Sequence, residues 1–446
     1  MHNSFGNNKL PTRKVLTGTV RRGLLVATAL SALAASPAFA SYTVKHAFAG
    51  PAGDGANTFT SIIKVGNIFY GTTTYGGTGP CPGGCGTLFQ MTASGVETVL
   101  YNFQGGAADG AYPRGGLVLT KNTSGPVLYG TTTQGGSGPA ANCPDFGSCG
   151  TVFQWQINTS AYSVSYNFQG VTDGANPFST LALGNNGMLY GTTLEGGSTT
   201  CSTTYSSCGT VFSINSLSGN AETVIYKFQS GTDGANPFSL PLIAGGKIYG
   251  TTTEGGDQTC TTIPHGCGTV YELRPVGPNW VESVLYRFHG TTSNDGADSF
   301  SSLVKVGTSL WGTTFYGGAN NEGMVFQLTK VGPSWNETNI YSFTGGTDGG
   351  HPSAGLTRSG TSLYGDTSSG GNAGCQYYYS FPGCGTIFKV TGTTLIPSVY
   401  SFNGVTDGGN PYDTLLKAGA FLYGTTYGGG TQPSGISAFG TIFKFQ

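Results

Sequence analysis

Apolar and polar positions alternate with a period of two in short runs, and these runs return in fixed order about every 60 residues. The clearest run, an aromatic residue followed by Gly-Thr-Thr or a close variant, opens at Tyr70, Tyr129, Tyr190, Tyr249, Trp311, Tyr364 and Tyr423, with spacings of 59, 61, 59, 62, 53 and 59 residues. Its alternation of Tyr and Thr suits a half-buried pleat. Each period holds three further strand-like words separated by Gly, Asp, Asn or Pro. One is a short apolar run, such as Gly116 to Leu119 or Thr180 to Leu183. Another is Gly-Thr-Val-Phe, as at Gly150 to Phe153 and Gly209 to Phe212. The last ends in Tyr-x-Phe, as at Tyr166 with Phe168 and Tyr226 with Phe228, and the period of two puts both rings on one face.

Four strands per period and seven periods predict an all-β, seven-bladed β-propeller with four-stranded antiparallel blades. An open β-solenoid is disfavoured, because a period near 60 is long for one coil and no capping segment is visible. The chain after residue 40 opens on the fourth type of strand, Val44 to Phe48, and closes on the third type, Gly440 to Phe443. The two ends complement each other, so the N-terminal strand is expected to complete the last blade and leave no open sheet edge. In such blades the loop between the second and third strands and the loop leading into the next blade share one face. These are the Gly-Gly and Asp-Gly loops, and function is expected on their side.

Composition separates the first 40 residues from the rest. Lys9, Arg13, Lys14, Arg21 and Arg22 precede an apolar run from Gly23 to Ala35, and Ala38-Phe39-Ala40 supplies small residues for cleavage. The expectation is a signal peptide over 1–40 and a single domain over 41–446, because the apolar run is too short to span a bilayer. Arg21-Arg22 leaves the general secretory and twin-arginine routes both open, with the former favoured. Losing that segment leaves 14 basic against 20 acidic residues, a net charge near −6. A nucleic-acid partner is therefore not expected, and neither is membrane insertion of the mature chain. Charged residues make up only 9% of the chain, but 12% aromatics argue for a packed fold rather than disorder.

Ten cysteines fall as five close pairs, Cys81 with Cys85, Cys143 with Cys149, Cys201 with Cys208, Cys260 with Cys267, and Cys375 with Cys384, each pair inside one Gly-Gly loop. The spacings vary too much for a metal-ligand motif, so five local disulfides are expected, and no metal or cofactor. Asp54, Asp109, Asp173, Asp233, Asp295, Asp348 and Asp407 each precede a Gly. A carboxylate ring around a cation is conceivable, but Asp-Gly ordinarily accepts backbone N–H bonds within its own turn, and that reading is preferred.

The three recurring words after a signal peptide resemble the bacterial GloVer tandem-repeat family, and the likeness covers residues 42 to 446. It implies an exported repeat array and carries no activity or substrate. Many members have a C-terminal anchor, and none is visible here.

A substrate cannot meet seven blades identically, so candidate site residues are those that break the repeat. The residue before Gly-Gly is Tyr75, Gln134, Glu195, Glu254, Tyr316, Ser369 and Gly428 in turn, and Asp366 replaces a repeat Thr. Glu195 and Glu254, in neighbouring blades, could act as a glycosidase pair, with Asp366 a weaker third candidate. The simpler reading makes the two Glu solvated loop ends. The sixth Gly-Gly loop carries Tyr377, Tyr378, Tyr379 and Phe381 between Cys375 and Cys384, and with Tyr75 and Tyr316 these are the candidate ligand-binding aromatics. Packing over the neighbouring blade is the competing reading of that loop. His46 stands in a Tyr position and is expected to be packed, while His265, His289 and His351 show no partner pattern. The expected protein is a secreted or periplasmic monomer that binds a glycan or protein through its disulfide-pinned loop face. A carbohydrate-active hydrolase or lyase using Glu195 and Glu254 is the alternative.

Overall fold

The computed structural model describes residues 41–51, 53–143, 146–198, 201, 204, 207–216, 219–372, 375, 381–431 and 439–446. Among them there is no α-helix, and seven four-stranded antiparallel sheets form a seven-bladed β-propeller. The third blade is representative, with strands Ala182–Leu183, Met188–Thr193, Thr210–Asn215 and Glu222–Lys227 paired in chain order. The glycine in its second strand, Gly191, lies under the Phe212 ring of the third, where an added Cβ would come within 2.5 Å. The aromatic of Gly-Thr-Val-Phe thus needs a glycine beside it.

The seventh blade is shared, as the complementary ends predict. Strands Leu416–Ala418, Phe421–Thr426 and Thr441–Phe445 take Tyr42–Ala47 as their outer partner, with Tyr42 opposite Phe445 and Val44 opposite Phe443. A bulge between Val44 and His46 recurs at the same place in the other outer strand pairs, for example between Val211 and Phe212 and between Val270 and Tyr271. A bulge bends its strand and increases local twist.

Adjacent blades are joined by ring-on-ring contacts. The Phe of each Tyr-x-Phe word is fully buried and packs on the Gly-Thr-Val-Phe aromatic of the next blade, as in Phe168–Phe212 at 5.0 Å and Phe228–Tyr271 at 5.1 Å. Edge-to-face pairs of this kind add about 0.5–1.5 kcal/mol each beyond area burial. The inner-strand Thr adds a polar link, with the hydroxyls of Thr131, Thr192, Thr251, Thr313 and Thr425 donating to backbone carbonyls of the following blade.

Candidate functional site

On the loop face each blade knits its two loops together. The residue two places after the Asp pairs, in antiparallel fashion, with the residue before Gly-Gly: Ala56 with Tyr75, Ala111 with Gln134, Ala175 with Glu195, Ala235 with Glu254, Ala297 with Tyr316, Gly350 with Ser369 and Gly409 with Gly428. The first glycine of Gly-Gly is required by this pairing, since at Gly196 (φ +79°) a Cβ would sit 2.5 Å from the Gly174 Cα. The same pairing corrects the expectation that Glu195 and Glu254 are solvated loop ends. Glu195 is 1% and Glu254 6% exposed. Glu254 accepts the Thr204 amide of the preceding blade's disulfide loop at 3.0 Å, and burial pushes its carboxyl above the usual range.

The seven Asp-Gly carboxylates serve their own turns and more. Asp109, Asp173, Asp233, Asp295, Asp348 and Asp407 accept both the hydroxyl of the preceding Tyr-x-Phe word and the amide just after its Phe, as in Tyr226 Oη to Asp233 at 2.8 Å and the Gln229 amide at 2.7 Å. In the shared blade His46 takes the tyrosine's role, with its Nε2 2.6 Å from Asp54 Oδ2. His46 is thus hydrogen-bonded as well as packed. Across the seams a second carboxyl faces some of these aspartates. Burial first, and then Asp173, Asp233 and Asp295 respectively, hold Glu222 up to about 7 and Glu282 and Glu337 up to about 8.

All five cysteine pairs are bonded as expected: Cys81 to Cys85, Cys143 to Cys149, Cys201 to Cys208, Cys260 to Cys267, and Cys375 to Cys384. Each closes a short loop, worth about 2–3 kcal/mol on a chain-entropy account. Both members of each pair lie in the loop between the second and third strands, as expected, and some of them reach the core, Cys143 and Cys375 included. Cys85, Cys149, Cys208, Cys267 and Cys384 are fully buried and belong to the hydrophobic clusters of the blades. The reason is that each immediately precedes the Gly-Thr of a third strand, and its carbonyl accepts an amide from the turn entering the next blade, as in Tyr112 to Cys85, Asn176 to Cys149, Asn236 to Cys208, Asp298 to Cys267 and Asn410 to Cys384. The bridges therefore tie the outer loops to the core, and these five sulfurs are not available to a ligand.

Tyr377, Tyr378 and Tyr379 lie outside the described residues. Phe381 stacks on His351 at 3.8 Å and approaches Phe315 and Tyr316 of the preceding blade, so this half-buried ring packs over its neighbour. Tyr316 joins the same cluster, while Tyr75 packs on Tyr112 at 5.4 Å. His351 is buried, and desolvation lowers its imidazole to about 4. Its Nδ1 approaches both Ser369 Oγ at 2.9 Å and Glu322 Oε2 at 3.1 Å. A catalytic triad needs the base to use different ring nitrogens for nucleophile and acid, so this trio is not one.

A column of residues that sequence reasoning passed over forms the axial mouth of the propeller. Two residues beyond the Asn of Asp-Gly-Ala-Asn stand Phe59, Arg114, Phe178, Phe238, Phe300, Ser353 and Tyr412, all lining a cavity of about 80 Å³ on the axis. Phe178 contacts Phe238 at 4.7 Å, Phe238 contacts Phe300 at 4.8 Å, and Phe59 contacts Tyr412 at 5.2 Å. Arg114 lies between Phe59 and Phe178, its guanidinium carbon 4.9 and 5.0 Å from their centroids. Its Nε is buried without a hydrogen-bond partner among the described residues. Comparing this column across the repeats would have singled out Arg114 and Ser353. Asp413 lines the same cavity, and Asp366 lies in its electrostatic field. Asp366 is 1% exposed, neither of its oxygens has a hydrogen-bond partner among the described residues, and burial drives its carboxyl far above the ordinary range. The structure therefore separates Asp366 chemically from Glu195 and Glu254, whose backbones lie in the outer loop ladder. A larger concavity of about 320 Å³ lies on the opposite face, against Tyr190, Lys247 and Trp280.

Several solved structures are similar to this chain at low identity. A puromycin-hydrolysing peptidase from Mycobacterium tuberculosis is 10% identical over 86% of this chain and 50% of its own, with a TM-score of 0.48. A 6-phosphogluconolactonase-like protein from Bacteroides uniformis is 14% identical over 84% and 99%, with a TM-score of 0.47. TolB from Acinetobacter baumannii is 9% identical over 74% of this chain, with a TM-score of 0.37, and the chain spans 62% of TolB and half of the peptidase. At these scores none of them bears on activity. No curated protein matches the sequence. The profile described as the Gloeobacter/Verrucomicrobia repeat matches residues 31–264 and 128–379, and the chain belongs to that repeat family.

Proposed function

We propose that the protein is an exported binding module that takes a glycan or protein ligand on its loop face, at the axial mouth. The observation that carries this reading is Arg114, a cation with a buried, unsatisfied Nε held between two aromatic rings where the other blades place Phe, Tyr or Ser. A guanidinium fixed in this way is suited to a ligand carboxylate, and the surrounding rings offer faces on which sugars or apolar side chains stack. Five disulfides hold the outer loops, which lowers the ordering cost of binding. The same disulfides and the N-terminal sequence support export. Among the described residues no helix is long and apolar enough to cross a membrane. Loop pairing engages the backbones of Glu195 and Glu254, and the hydrolase alternative is an outcome of the test below.

The test is to screen the tag-free protein against arrays of neutral glycans, uronate-containing glycans and peptides, with reducing-sugar release assayed in parallel. The reading expects retention of a carboxylate-bearing ligand, no sugar release, and loss of retention in Arg114→Ser. Sugar release abolished by Glu195→Gln or Glu254→Gln, with Arg114→Ser unaffected, would overturn it.

A further inference from the structure

The seam at which the ring closes differs from the other six. Elsewhere the outer-strand residue bonded to the Asp-Gly carboxylate is a tyrosine, and here it is His46. Glu97, on the outer strand of the first blade, faces the same pair, and the donor atoms of His46, Asp54 and Glu97 all lie within 4.8 Å of one another. Three other seams carry a Glu in the equivalent place, but opposite Tyr-Asp rather than His-Asp. Glu97 Oε1 is buried without a hydrogen-bond partner among the described residues. His46 and Asp54 keep side-chain exposures of 17% and 19%, which leaves the cluster open to a small ion.

We propose that His46, Asp54 and Glu97 bind one Zn²⁺ that fastens the N-terminal strand to the first blade. One imidazole and two carboxylates, with a position left for water, form a three-ligand zinc set of net charge −2 that the ion neutralises. Tetrahedral ligation at about 2.0–2.1 Å places donor atoms about 3.3 Å apart. His46 and Asp54 must therefore part slightly from 2.6 Å while Glu97 moves in. Zn²⁺ enters once His46 Nε2 is free of its proton, which moves to Nδ1 in a neutral ring or to solvent from a charged one, and any proton on Glu97 goes to solvent, leaving one neutral imidazole and two carboxylates. The tyrosines of the other Tyr-Asp-Glu seams, whose hydroxyls burial and the partner aspartate push above the ordinary range, keep their protons at neutral pH, so those seams stay metal-free. Calcium, which needs six to eight oxygen ligands, does not suit this set. The backbone already places the partners, since the Gly95 turn of the first blade abuts the Lys45 carbonyl of the closing strand.

The experiment is Zn²⁺ titration of the tag-free, chelator-stripped full chain by calorimetry, alongside melting curves with and without ZnCl₂. Every described cysteine is disulfide-bonded, so thiolates do not compete. The inference expects one tight site per chain and a higher melting temperature with Zn²⁺ but not Ca²⁺. His46→Tyr, which installs the residue of the other seams, and Glu97→Gln should each weaken binding at least tenfold and remove the shift. Unchanged binding in both variants would place the ion elsewhere, as at His289 with Asp257 and Asp295, and overturn the inference, as would the absence of a tight site.

Discussion

Phe48 meets Phe89 edge-on at 5.5 Å, and this contact completes a circuit of seven ring pairs that joins each blade to the next. Phe48 follows the closing strand and Phe89 belongs to the first blade, so the circuit is complete only when the N-terminal strand is in place. Deleting Ser41 to Phe48 removes a strand and one ring pair together. The truncated protein is expected to melt far below the intact chain or to oligomerise through its exposed edge, as read by calorimetry and light scattering. A monomer with an unchanged melting temperature would refute the shared blade.

Asp109 accepts hydrogen bonds from Tyr101 Oη at 2.9 Å, from the Gln104 and Gly110 amides at 2.7 Å each, and from Tyr162 Oη of the next blade. Asp109→Ala strands all four donors and should destabilise by at least about 3 kcal/mol in denaturant titrations. If the aspartates instead held a cation in the funnel, Ca²⁺ would stabilise the wild type and the alanine variant would lose that response. No calcium response is expected.

Asp366 stands where Thr313 of the preceding blade donates to the Ala354 carbonyl at 2.9 Å. Asp366→Thr restores that donor and removes a buried carboxyl, so it should stabilise the protein by about 1–2 kcal/mol. A loss of stability would show that Asp366 has a partner that threonine cannot replace.

Glu222, Glu282 and Glu337 have folded-state pKa values raised above those of the unfolded chain. Opposite them stand Asp173, Asp233 and Asp295, with Tyr166 and Lys227 beside Glu222 and Arg287 beside Glu282. Their contribution is complete below the ordinary glutamate range and is lost as pH rises through about 7–8. Replacing all three by Gln should leave stability similar near pH 5 and make the variant the more stable protein near pH 9. Parallel melting curves against pH would contradict this.

The blades, the shared seventh sheet and the disulfides were legible in the sequence, because strand words repeat in order and the cysteines of each pair lie within a few residues of each other. The burial of Glu195 was not, since it arises from pairing with Ala175 across twenty residues of chain, and no apolar pattern announces that ladder. The tyrosine–aspartate bonds were equally hidden. The Tyr-x-Phe and Asp-Gly words were visible, but only the bend between them brings Tyr226 to Asp233. The axial mouth was missed for a simpler reason: Asp-Gly-Ala-Asn-Pro-Phe reads as a turn, and Arg114 stands out only when the seven turns are compared position by position.

The most direct test of the account is the affinity of the strongest array ligand for wild type and Arg114→Ser, measured by calorimetry. Serine occupies the same place in the sixth blade as Ser353, so the ring accommodates it. The account predicts at least tenfold weaker binding, or about 1.4 kcal/mol, with little change in melting temperature. Equal affinity in the two proteins would place the ligand away from the axial mouth and contradict the account.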